Sequence, residues 1–72
     1  MRRFIDSPLV RCLSYENDIL TIEFQDKSVE RYRGFSRSDF LDLIDMPEPY
    51  TYYEEHIRDN YPLISRKKPR NV

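Results

Sequence analysis

At 72 residues the chain is one small domain that draws its stability from a few large side chains. A single cysteine, Cys12, excludes an internal disulfide, and no apolar run approaches the ~18 residues of a membrane-spanning helix. Twelve basic residues against 13 acidic ones give a net charge of -1, which argues against a domain that grips nucleic acid over its whole surface. The charge is unevenly spread. Residues 1–37 carry seven basic and six acidic groups, residues 38–59 one basic and seven acidic, and residues 60–72 four basic and none acidic. Six tyrosines and four phenylalanines predict a core in which tyrosine rings are buried while their hydroxyls reach water or a polar partner. With no signal peptide recognisable, the expectation is a reduced, cytoplasmic monomer.

Residues 1–8 (MRRFIDSP) read as an N-terminal arm, because Ser7-Pro8 is a turn signal. LVRCLSY (9–15) alternates as a strand, with Val10 and Cys12 expected on one side and Leu9, Leu13 and Tyr15 on the other. Asn17-Asp18 is a natural turn into ILTIEF, where Leu20, Ile22 and Phe24 share one face in the cleanest alternation of the chain. QDKS turns again, and VERYR supplies a third strand ending at the lone Gly34.

The period then changes. Ser36, with Asp39 three positions on, predicts a helix cap, and Phe40, Leu43 and Ile44 fall on one helical face before Met46-Pro47 stops it. Pro49 opens a second helix in which Tyr53, Ile57 and Tyr61 recur every four residues, ended by Asn60-Tyr61-Pro62. The expected fold is α+β: a three-stranded antiparallel meander followed by two short helices packed on the sheet. The domain proper spans 9–64, and 65–72 is expected to be a flexible basic tail.

Val10, Leu13 and Tyr15, then Leu20, Ile22 and Phe24, then Tyr32 with Gly34, and the closing Tyr52, Tyr53, Ile57, Arg58, Tyr61 and Pro62 together resemble the KTSC domain. That family is named for a segment at the C-terminus of some lysyl-tRNA synthetases and also occurs as short stand-alone proteins of bacteria and phages. The resemblance runs from about residue 7 to 62. Against the family pattern, Glu30 stands in place of the first member of a central tyrosine pair. The resemblance implies the α+β fold, and a suggested RNA-binding role; fold alone does not fix function.

The segment YYEEHIRDNYP (52–62) looks at first like a catalytic or metal cluster. One Cys and one His cannot build a zinc set; Glu55 and Asp59 read as ordinary solvated carboxylates of a single helix, and His56, next to the buried stripe, as a partly covered imidazole bonded to backbone or carboxylate. One glycine cannot make a phosphate-cradling loop. No serine has a nucleophile signature, and Cys12 on a strand reads as a small core residue. No catalytic residue, metal or cofactor is therefore expected. Asp39, Asp42 and Asp45 read as a solvated acidic face, and Arg58 as a partner either for Glu54 or for the C-terminus of a neighbouring element.

Function is expected at the two basic ends. Arg2, Arg3, Phe4 and Ile5 combine guanidinium and aromatic side chains in the manner of an interface anchor. Arg66, Lys67, Lys68 and Arg70 suit an acidic partner or nucleic acid. The leading expectation is a non-enzymatic module docking on a larger protein. Its most concrete form, which follows from the phage members of the resembled family, is a regulator that binds host RNA polymerase and sterically alters factor binding. The alternative is an RNA-binding module that uses the basic tail, with Tyr32 stacking on a base.

Overall fold

A computed structural model describes residues 1–68. Five antiparallel strands form one sheet in sequence order: β1 (Arg2–Phe4), β2 (Val10–Glu16), β3 (Ile19–Phe24), β4 (Val29–Arg33) and β5 (Leu63–Lys67). Helix α1 (Arg37–Ile44) and helix α2 (Pro49–Tyr52), which runs on into a π-helical turn (Tyr53–Ile57), connect β4 to β5. No helix among the described residues is long and apolar enough to cross a membrane.

The central meander and both helices follow the sequence expectation, but three strands is an undercount. The N-terminal arm is an edge strand. Its Arg2, Arg3 and Phe4 lie opposite Ser14, Leu13 and Cys12, and the amide of Ile5 donates to the Arg11 carbonyl at 2.9 Å. The expected flexible tail is likewise strand β5 as far as Lys67, with Val29, Glu30 and Arg31 opposite Lys67, Arg66 and Ser65. Neither segment carries a period-2 apolar pattern. Each is held by the backbone hydrogen-bonding groups that β2 and β4 would otherwise leave unpaired, and an alternation argument cannot see those.

Turn chemistry is local and legible. Asn17 and Asp18 both take positive φ, 51° and 64°, the conformation required by a two-residue hairpin turn. In the next turn Lys27 has φ 75°, while the Asp26 carboxylate accepts from the Ser28 amide at 2.8 Å. Ser36 caps α1 by accepting from the Asp39 amide at 3.0 Å, as expected.

One strand departs from simple alternation. The register slips between Val10 and Cys12, so that Val10 faces Phe24 while Leu13 faces Ile22 and Tyr15 faces Leu20. This bulge brings Val10, Leu13 and Tyr15 to the same side of the sheet. Cys12 instead shares a row with Phe4 and Glu23, on the face away from the helices, although it is buried. The expected pairing of Val10 with Cys12 on one face is therefore corrected: an extra residue shifts the two-residue phase, and nothing in the apolar pattern marks where.

The core lies between the sheet and the helical layer. Leu13, Leu20, Ile22, Phe35, Phe40, Leu43 and Ile57 are almost wholly excluded from water, with Tyr32 and Tyr53 among them. Aromatic rings tile it: Tyr15 stacks on Phe40 with centroids 5.4 Å apart, Phe24 meets Tyr53 edge-on at 5.3 Å, and Phe35 meets Tyr61 edge-on at 5.1 Å. The tyrosines keep their hydroxyls in use. Tyr15 donates to the Phe35 carbonyl at 2.8 Å, and Tyr61 reaches Asp39 at 3.4 Å. Helix α2 ends earlier than its spacing suggests. The amide of Arg58 donates to Tyr53 rather than to Glu54, which widens the last turn, and Tyr61 packs from beyond the helix end.

Candidate functional site

Two places in this fold concentrate polar chemistry, one on each face of the sheet. On the helix side, Glu30 of β4 is opposite Arg66 of β5. One carboxylate oxygen accepts from the Tyr32 hydroxyl at 2.6 Å and from the Tyr53 hydroxyl at 2.5 Å, and the other accepts from Arg66 Nε at 2.9 Å. Burial alone would raise the Glu30 pKa. The three donors outweigh it and hold the carboxyl below its ordinary range. Burial and the Glu30 charge together push both phenols up, so each stays protonated and keeps donating. The cluster ties β4, β5 and the π-helical turn together. With Tyr32 and Tyr53 both buried, no substrate reaches the phenols, so the group is a structural clamp.

On the other face the sheet is bare. Three rows cross it in register: Glu16, Ile19 and Arg33; Arg2, Ser14, Thr21, Arg31 and Ser65; and Phe4, Cys12, Glu23, Val29 and Lys67. Arg2, Ser14, Thr21, Glu23, Arg31 and Lys67 of these rows line a shallow hollow of about 690 Å³. Arg11, at the bulge, also reaches over this face to Glu23 at 3.6 Å. Five cations thus share the surface with two carboxylates. Glu23 holds Arg2 at 3.2 Å as well as Arg11. Arg31, Arg33 and Lys67 have no carboxylate within ion-pair distance among the described residues; Arg31 Nε donates to Thr21 Oγ1 at 3.4 Å.

The residues singled out in the sequence divide between these faces. Arg2 and Phe4 lie on the bare face, with the Arg2 guanidinium 5.2 Å from the centre of the Phe4 ring and Phe4 65% exposed. Arg3 points to the helix side, where it borders a notch with Phe40 and Ile44, and Ile5 packs against the core. The arm is therefore not one continuous anchor. At the other end Arg66 is engaged by Glu30, Lys67 joins the bare face, and Lys68 is exposed just past β5. Arg70 lies outside the described residues. Tyr32 is buried beneath the helices and cannot stack on a base, which corrects that part of the RNA expectation.

His56 is exposed beside Glu55, 3.8 Å away, with the Tyr52 ring against it. Arg58 pairs with Glu54 at 3.7 Å, as the spacing predicts. Among the described residues no three His, Cys, Asp or Glu side chains converge as a metal site would require. Sequence reasoning missed the bare face because Arg31 and Arg33, which alternate on one strand, give no sign by themselves of lying beside Ser14 and Thr21 of two other strands. Their only shared signal is the alternation opposite Leu20, Ile22 and Tyr32.

The family model of the KTSC domain matches residues 7–61. The chain belongs to the KTSC domain family. No curated protein matches the sequence. The matched KTSC span holds β2, β3, β4 and both helices, whereas β1 and β5 lie outside it. The two strands that complete the five-stranded sheet, and with them Arg2, Phe4 and Lys67 of the bare face, therefore flank the matched KTSC span.

Proposed function

We propose that this KTSC protein is a non-enzymatic binding module that docks on a larger protein through the β1 end of its sheet. The observation that carries this reading is the exposed Phe4 with the Arg2 guanidinium over its ring. It sits on a free edge strand whose outer backbone groups can also pair. An exposed aromatic beside an arginine is the composition of interface hot spots. The concrete partner is host RNA polymerase, with the protein acting as a phage-type regulator of bacterial transcription that occludes another factor by its bulk. That step draws on the stand-alone phage members of the family it resembled from sequence.

The test is retention of purified bacterial RNA polymerase by the immobilised full chain, compared with the Phe4→Ala and Arg2→Ser variants. Retention by the parent, with a loss of about tenfold or more in Phe4→Ala, is the expected result. No retention, or equal retention by all three proteins, would discard the polymerase reading. The RNA alternative rests on Lys67 and Lys68, both exposed. It requires affinity that falls steeply with salt; binding insensitive to salt rules it out.

A further inference from the structure

We infer that the bare face of the sheet seats an extended acidic segment of a protein partner, lying along β4. This deepens the docking proposal and rests on the reading of the domain as a protein-binding module. The helical layer is strongly acidic, with one basic and seven acidic groups over residues 38–59, so the domain has two faces of opposite sign. The bare face holds the surplus of cations, and three of them, Arg31, Arg33 and Lys67, are not committed to carboxylates among the described residues.

Their arrangement matches carboxylates on an extended chain. Arg31 and Arg33 are two residues apart on one strand, about 7 Å along its axis, and side chains on one side of any extended peptide repeat at the same distance. Lys67, on the neighbouring strand about 5 Å across, is level with Val29, a further step of about 7 Å along the axis from Arg31 on the side away from Arg33. Guanidinium forks take carboxylates in paired hydrogen bonds. Thr21 already accepts from Arg31, which leaves its hydroxyl proton free to donate beside the Ser14 and Ser65 hydroxyls in the same row.

A nucleic-acid strand fits less well. Single-strand platforms gain much of their affinity from bases stacked on aromatic rings. Here Tyr32, Phe24 and Tyr53 are in the core, and the bare face has only Phe4 at its margin. Glu16 and Glu23 interrupt the positive surface, so a continuous polyanion meets repulsion at both, whereas a segment with a few spaced carboxylates can avoid them. Three uncommitted cations also fall well short of the roughly six to ten phosphate contacts of tight nucleic-acid binders.

The experiment titrates the full chain with a fluorescent peptide that carries glutamate at alternate positions with serine between them and, separately, with a single-stranded oligonucleotide of equal length at the same low salt. In parallel, backbone amide shifts are mapped on isotopically labelled protein. The expected result is peptide binding that shifts Ser14, Thr21 and Ser65 and weakens about tenfold or more in the Arg31→Ser, Arg33→Ser, Lys67→Ser triple variant. The Arg58→Ser variant, which removes a positive charge on the helical side, binds as the parent does. Circular dichroism verifies that the triple variant is folded; if it is not, the shift map on the parent decides. Absence of peptide binding, shifts confined to the helices, equal binding by the folded triple variant, or a tenfold preference for the oligonucleotide each overturns the inference. Peptide binding without polymerase retention would discard the polymerase and keep the acid-binding face; polymerase retention without peptide binding would do the reverse.

Discussion

The two faces of the sheet are made from alternate residues of the same strands, yet they are built for different ends. Toward the helices, Leu20, Ile22, Tyr32 and Leu13 are buried to completion, and the one carboxylate there, Glu30, has its charge met by two phenols and a guanidinium. Away from the helices, Thr21, Arg31, Arg33 and Lys67 leave hydroxyls and positive charge without such closure. A polar group on the covered side has to be satisfied within the chain, because burial without a partner costs free energy. On the bare side water serves that purpose until a partner replaces it. Stability should therefore respond to changes on one face, and binding to changes on the other.

The largest expected effect is on the covered face. Phe40→Ala removes a ring that is 1% exposed and stacked on Tyr15, and should cost about 3–5 kcal/mol. In a domain this small that is enough to abolish a cooperative urea transition at ordinary temperature. A transition that survives with less than half that loss would mean the core tolerates collapse around Phe40.

Glu30→Gln comes next, at about 2 kcal/mol, because three donors lose a charged acceptor. It also carries a pH signature. The folded Glu30 titrates below its ordinary value of 4.5, so its contribution is complete above that value and is lost as the pH falls through the lowered one. Urea midpoints recorded from neutral to acid pH should fall more steeply for the parent than for Glu30→Gln. Parallel curves would show that the clamp contributes little.

Lys27→Gly should act in the opposite direction, stabilising by about 1 kcal/mol. It relieves a side chain held at φ 75°, a region costly for any residue with a Cβ. The unfolded chain gains entropy from the same change, so the net rise in Tm reports the difference between the two terms. The smallest effect is expected on the bare face: Arg31→Ser should change stability by no more than about 0.5 kcal/mol. A loss comparable to that of Glu30→Gln would show that Arg31 belongs to the scaffold and would blur the contrast between the faces.

Much of the fold was legible because it is local. The Ser36 cap, the Asn17-Asp18 turn, the alternation of Leu20, Ile22 and Phe24, and the Tyr53 and Ile57 anchors each follow from residues a few positions apart. The KTSC resemblance drew on the same span, and the family match over residues 7–61 agrees with it. The edge strands were not legible. RRF is too short to show alternation, and LISRK mixes exposed apolar and basic residues that are equally compatible with a tail.

The candidate surface was legible only in part. Arg2, Phe4 and Lys67 stood out as members of basic ends of the chain, whereas Arg31 and Arg33 gave no sign of joining them. Cys12 was read correctly as buried and as facing away from Leu13 and Tyr15, but Val10 was grouped with it, since a bulge shifts the phase of β2 without leaving a mark in the apolar pattern.

The sequence by itself determined the elements of the meander and helices, their caps and turns, and which residues are apolar enough to form a core, because propensity and periodicity act over a few residues. Tertiary structure decided the rest. It recruited both chain ends as strands, because exposed backbone groups on β2 and β4 are satisfied by whatever segment can reach them. It drew Arg66 from the basic end into the Glu30 clamp, and it left Arg31, Arg33 and Lys67 on one face of the sheet, a grouping that no stretch of sequence contains.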